Sequence, residues 1–154
     1  MIALTVGELA AAMSGRAVAV DRAAVVSDVA VDSRAVVPGG MFVAIRGERV
    51  DGHDFASAAV ADGATVVLSA RELADDTGAG LPCIVVDDPV LALGRLAARV
   101  RQELLSCTVV AITGSSGKTS TKDLVGTVLS TVGPTVSPRG SFNTEVGLPL
   151  TILS

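Results

Sequence analysis

The run Val109-Val110-Ala111-Ile112-Thr113-Gly114-Ser115-Ser116-Gly117-Lys118-Thr119-Ser120-Thr121 constrains this chain more than any other stretch. An apolar, β-branched run that breaks into a glycine-rich turn and then into Lys-Thr has the order of strand, phosphate loop and helix. Gly114 and Gly117 let the backbone curl so that successive N–H groups point into one concavity and hold phosphate oxygens. Lys118 adds a mobile cation for β- and γ-phosphates, and Thr119 opens the helix with a hydroxyl able to join the coordination sphere of Mg²⁺. The expected nucleoside-triphosphate loop is Gly114, Ser115, Ser116, Gly117, Lys118, Thr119 and Ser120. The general pattern places a glycine five residues before the second one, where this chain has Ile112, so the loop is a short variant. A flexible loop with an incidental lysine is the plainer alternative; it leaves the strand-before, helix-after context without a purpose.

A triphosphate is strongly anionic, whereas the 154-residue chain carries a net charge of −4. Such a ligand must therefore be held by a local arrangement of donors, and a nucleic-acid backbone is not the expected partner. Aromatic residues are 2% of the chain, so platforms for stacking bases are nearly absent and the core must be built from Ala, Val, Leu and Ile. The N-terminus lacks a basic region followed by an apolar core, and no apolar run reaches membrane-spanning length. A cytosolic protein without membrane insertion is expected. Cys83 and Cys107 each head an apolar run without metal-ligand spacing, which reads as two buried thiols.

In chain order, Thr5-Val6-Gly7-Glu8 reads as a capping box opening a helix to about Met13. Arg16 to Val20, Val25 to Val31, Met41 to Ile45, Thr65 to Leu68 and Ile84 to Val86 read as strands. Val37-Pro38-Gly39-Gly40 reads as a turn and Phe55 to Ala61 as a helix with a glycine stop. Asp88-Pro89 begins a helix whose Leu93, Leu96, Ala97, Val100 and Leu104 form one apolar stripe. A strand from Cys107, the phosphate loop, a helix from Lys118 to Ser130, and an apolar segment helical after Pro149 complete the reading.

The expected fold class is α/β: a small N-terminal α/β domain, residues 1–88, a connecting helix, 89–106, and the start of a phosphate-loop domain with a parallel sheet, 107–154. Such a domain needs several parallel strands, so the sequence reads as the front portion of a longer enzyme. Exposed strand edges leave self-association of the chain open.

Three stretches together resemble the ATP-dependent Mur ligases of bacterial peptidoglycan synthesis. Asp32-Ser33-Arg34 with Pro38-Gly39-Gly40-Met41-Phe42-Val43-Ala44, Gly47 and Asp51-Gly52-His53-Asp54-Phe55 resembles the uridine-nucleotide-binding N-terminal domain of the members that add the third amino acid and the terminal dipeptide. Thr113 to Lys122 is similar to the family's ATP loop. Gly140 to Thr151 is similar to the Asn-Asn-Glu-Ile-Gly-Val-Pro-Leu-Thr pattern of the D-alanyl-D-alanine-adding branch, with Thr144 where a second asparagine is usual. The Thr-Thr-Pro pattern of the diamino-acid-adding branch is absent.

The resemblance implies transfer of the ATP γ-phosphoryl group to the free carboxylate of UDP-N-acetylmuramoyl-tripeptide, then attack of the D-Ala-D-Ala amine on the acyl phosphate. It implies ATP and Mg²⁺ as cofactors, with Lys118 as the catalytic cation, Thr119 at the metal, and a monomeric full enzyme. Further family groups, a metal-binding glutamate, a histidine, a modified lysine and a closing C-terminal domain, fall beyond Ser154, so no turnover is expected of these residues alone. Ser33 and Arg34 are candidates for the nucleotide, with an Asp32–Arg34 surface pair as the alternative. Asn143 and Glu145 are candidates for the substrate or metal surroundings, with an exposed or helix-capping role equally open for Glu145. His53, the only histidine, reads as structural near an Asp54 cap, and Lys122 as a surface charge. A non-catalytic phosphate-binding module and another ligase with the same short loop are the rival readings.

Overall fold

The computed structural model of the protein describes residues 1–138 and 144–154. Its framework is a five-stranded sheet flanked by helices on both faces. Strands β1 (Leu4–Thr5) and β3 (Val25–Val26) form a small antiparallel pair, while β2 (Arg16–Val18), β4 (Asp28–Ala30), β5 (Gly40–Val43), β6 (Val66–Ser69) and β7 (Cys83–Val85) form the sheet in the order β2-β7-β6-β5-β4. The β4, β5, β6 and β7 ladders are parallel, and β2 closes the far edge antiparallel to β7. The expected single strand from Val25 to Val31 is therefore two: β3 and β4 pair with different partners on either side of Ser27.

Strand alternation assigns the residues of the two faces. Met41, Val43, Val66, Leu68 and Ile84 join one core, and Phe42, Ala44, Val67 and Cys83 the other. The first core is covered by α1 (Val6–Met13) and α3 (Pro89–Glu103) through Leu9, Met13, Leu93, Leu96 and Val100. The second is covered by the short α2 (Ala56–Ala61), where Ala56 and Ala59 fit closely on the sheet. Local side-chain chemistry starts α1 and α3. Thr5 Oγ1 accepts from the Glu8 N–H at 3.2 Å while Glu8 Oε2 accepts from the Thr5 N–H at 2.7 Å, the expected reciprocal cap. Asp88 accepts from the Val90 and Leu91 N–H groups, with Pro89 in the first turn. Gly39 takes φ +85°, the left-handed value that the expected Pro38-Gly39 turn demands.

Three expectations are corrected beyond α3. The run from Cys107 to Ile112 is no strand: Val109 and Val110 are exposed and, among the described residues, no sheet neighbour pairs with them. A parallel strand has no hydrogen bonds of its own, so without an adjacent strand its β-branched residues cannot hold it in a ladder. Cys107 is accordingly exposed, whereas Cys83 is buried as expected and its thiol is pushed up by burial. Helix α4 (Lys118–Ser130) forms over the expected residues, yet Leu124, Val128 and Leu129 remain exposed. Helix α5 (Gly147–Leu153) begins two residues before Pro149 and packs on α3 and β4, placing Leu153 in the first core.

Replacing the fully buried Leu96 by Ala is expected to lower the unfolding free energy by about 2–5 kcal/mol, read from urea melts. Asp88→Ala should cost about 1 kcal/mol through the lost cap. A Leu96→Ala loss no larger than that of Asp88→Ala would contradict the placement of α3 over the sheet.

Candidate functional site

Parallel strands direct all of their following loops to one edge of the sheet, the usual place for a ligand in open α/β folds. Here that edge gathers the turn after β4, the loop after β5 and the turn after β6. After β4, Asp32 caps a 3₁₀ turn over Ser33–Ala35 by accepting from the Arg34 N–H at 3.0 Å. The Arg34 guanidinium folds back onto the same carboxylate, with Nε 2.9 Å from Oδ1 and Nη2 2.7 Å from Oδ2. The surface pair weighed for these residues is present, Arg34 lying 2.7 Å from Asp32. Ser33 is half-buried, and its hydroxyl makes no hydrogen bond among the described residues.

The loop after β5 carries a second constellation that composition and spacing left unread. Asp51 caps the 3₁₀ turn Gly52–Phe55 by accepting from the His53 N–H, and its Oδ1 lies 2.5 Å from His53 Nδ1. His53 Nε2 accepts from the Ala70 N–H at 3.2 Å, beyond the end of β6. His53 is therefore structural, as expected, but its carboxylate partner is Asp51 and not Asp54. The Asp51 carboxyl is held below its ordinary value first by the His53 N–H and then by the His53 ring.

Residues Gly114 to Ser120, expected to form a phosphate loop, lie apart from this edge in sequence. Gly117 takes φ +74° and caps α4 without a side-chain bond. Among the described residues no carbonyl or side chain accepts from the N–H groups of Gly114 to Ser120; the last three of these have no intrahelical partner by position. Lys118 Nζ donates to the Gly114 carbonyl, which lays the ammonium across the loop. Thr119 and Ser120 are exposed, and Thr121 Oγ1 donates back to the Gly117 carbonyl at 2.9 Å instead of capping the helix start. Lys122 departs from a free surface charge: its Nζ donates to the Pro138 carbonyl at 2.5 Å and pairs with Asp123 at 2.6 Å.

Of the two remaining candidates, Asn143 lies outside the described residues. Glu145 is exposed on a cleft of about 480 Å³ between α3 and α5, lined also by Arg95 and Leu148 and by none of the phosphate-loop residues. Glu145 does not cap α5, whose N-cap residue is Val146; the nearby Thr144 Oγ1 accepts from the Gly147 N–H at 2.9 Å. Among the described residues no three metal-ligating side chains cluster, and no helix is long and apolar enough to cross a membrane.

Comparison with known proteins agrees with this arrangement. Residues 25–101 match the family model described as Mur ligase family, catalytic domain, and residues 112–154 match the Mur ligase middle domain. The UDP-N-acetylmuramoyl-tripeptide–D-alanyl-D-alanine ligase of Escherichia coli is 42% identical over 153 residues, covering 99% of this chain and 32% of that protein. A crystal structure of MurF from Acinetobacter baumannii superposes with a TM-score of 0.83 at 34% identity, covering 98% of this chain and 33% of the other. MurF ligase from Thermotoga maritima, solved in complex with ADP, superposes with a TM-score of 0.69 at 36% identity over 82% of this chain and 29% of that one. The chain spans about a third of the length of the curated relatives it matches. With both family models matched in order along it, this chain belongs to the Mur ligase family.

Proposed function

We propose that this chain provides the sugar-nucleotide-binding unit and the ATP loop of a ligase that joins D-alanyl-D-alanine to the free carboxylate of UDP-N-acetylmuramoyl-tripeptide. In this reading residues 1–88 are the sugar-nucleotide unit, 89–106 the connecting helix and 107–154 the first part of the ATP-binding domain. The observation that carries it is the row of N–H groups from Gly114 to Ser120, unbonded among the described residues, at the start of a 13-residue helix. That row stands in a chain similar to ligases named for this reaction, one of which was solved with ADP.

A carboxylate is a poor acylating agent until one of its oxygens becomes part of a phosphate leaving group. Transfer of the γ-phosphoryl group to that oxygen gives an acyl phosphate, and the amine of D-Ala-D-Ala then displaces phosphate to form the amide. The chain's own part is positioning and charge neutralisation. The amides of Gly114 to Ser120 and the Lys118 ammonium suit phosphate oxygens, and the exposed Thr119 hydroxyl suits a Mg²⁺ carried by the nucleotide. Ser33, with its hydroxyl free in a clasped turn, is assigned to the uridine nucleotide. Asn143 and Glu145 are assigned to the substrate side. A cytoplasmic location and a monomeric full-length enzyme go with the same reading.

Calorimetric titration separates the two sites. Ser33→Ala is expected to weaken UDP-N-acetylmuramoyl-tripeptide about fivefold and leave Mg-ATP unchanged. Lys118→Ala should weaken Mg-ATP at least about tenfold and leave the sugar nucleotide unchanged. Wild-type affinities in both variants would remove the basis for the reading.

The Asp32 clasp gives a pH test. Its carboxyl is lowered from 3.8 to about 2, first by the Arg34 side chain and then by the Arg34 N–H. A carboxyl depressed in the folded state contributes its stabilisation above its unfolded value, and that contribution is lost as pH falls through the folded one. The Asp32 carboxyl ¹³C resonance should therefore titrate near 2, and move toward 3.8 in Arg34→Ala. A wild-type midpoint at the ordinary value contradicts the clasp.

A further inference from the structure

Two loops at the carboxyl edge are tied together by hydrogen bonds that neither Ser33 nor the phosphate loop uses. The His53 side chain is only 4% exposed. Because Nε2 accepts from the Ala70 N–H, the ring carries its proton on Nδ1 and donates it to Asp51 Oδ1. The other carboxylate oxygen, Asp51 Oδ2, lies 3.6 Å from Arg71 Nη1. Fully buried Ser69 fixes the Arg71 backbone from the other side, its Oγ donating to the Arg71 carbonyl at 2.6 Å and accepting from the Arg71 N–H at 3.1 Å.

The outcome is an arginine held at backbone and at one edge of its fork, with 58% of its side chain exposed. Its neighbour Glu72 does not neutralise it, since that carboxylate is taken by Arg16 at 2.6 Å. An arginine left to solvent loses much rotamer freedom when it grips a ligand; one already tethered loses less and so binds an anion more favourably. The remaining guanidinium N–H groups are available for the paired oxygens that this fork suits.

We propose that Arg71 receives the diphosphate of the sugar nucleotide, and that His53 and Asp51 are positioning residues that hold it in place. The proposal rests on the reading of residues 1–88 as a sugar-nucleotide unit. Strand order adds the length scale. The β4 and β6 ends are separated only by β5, about 10 Å at two strand spacings, so the Ser33 turn and Arg71 bracket a gap that a nucleoside diphosphate spans and a lone phosphate does not.

The test compares UDP with UMP on the whole chain by calorimetry. Wild type is expected to prefer UDP over UMP by about tenfold or more. Arg71→Ala should abolish that preference with UMP affinity changed less than twofold, and Arg71→Lys should retain part of it. Asp51→Asn should reduce the preference and also shift the His53 imidazole ¹⁵N resonances away from the Nδ1–H tautomer; an effect on the resonances alone would leave His53 and Asp51 merely structural and overturn their positioning role. Arg71 is exposed enough for its variants to fold, which equal thermal midpoints would verify, and Arg71→Gln serves as a second neutral variant. An undiminished preference in both neutral variants, alongside weakened UDP in Ser33→Ala, overturns this inference and leaves the proposed function standing. Failure of wild type to bind either nucleotide overturns both.

Discussion

The placement of the turns that carry Ser33, His53 and Arg71 depends on a mostly parallel sheet that is buried on both faces. Residues 41–44, 66–68 and 83–84 contribute alternately to two cores, so a one-residue slip of any of these strands would exchange its inward sets. Register fixed in this way also fixes where the strands end. The Asp32 turn, the Asp51–His53 turn and the Ser69–Arg71 turn are carried to one edge because β4, β5 and β6 run side by side in the same direction.

The two faces are covered unequally, and this shapes the edge. Helices α1 and α3 bring large side chains such as Leu9, Met13, Leu93 and Leu96 to one core. On the other, α2 offers mostly alanines with Val60 at its margin; the 3₁₀ turn Gly52–Phe55 leads into it, and the Gly39 N–H donates to the Gly63 carbonyl just past its end. The His53 ring closes this side at the carboxyl edge by joining the β5 and β6 loops. A buried, fully bonded histidine there works as a fastening between loops, with its ring too enclosed to meet a substrate.

Much of this was legible in the residues because the signals were local. The Thr5–Glu8 box, the Asp88-Pro89 start, the Pro38-Gly39 turn and the Lys118 helix start each depend on groups within four positions of one another. What escaped depends on separation along the chain. The His53–Ala70 bond joins residues 17 apart, and nothing in either short stretch announces the other. The break at Ser27 reflects two different pairing partners, a choice made by the sheet and not by the strand. Val109 to Ile112 shows the converse: strand propensity is written into the residues, but a ladder needs a neighbour, and among the described residues Val109 and Val110 remain exposed without one.

The phosphate loop and the carboxyl edge are separate donor arrangements, one built of backbone amides and Lys118, the other of clasped turns and a tethered arginine. The carboxyl edge is the part that the complete sheet positions, and an amide-resolved NMR titration of the chain with UDP tests it most directly. The account predicts shift changes concentrated at residues 31–35, 46–53 and 69–72, the turns after β4, β5 and β6. Changes confined to the opposite edge, at residues 38–39, 63–65 and 81–82, or no changes at all, would contradict it.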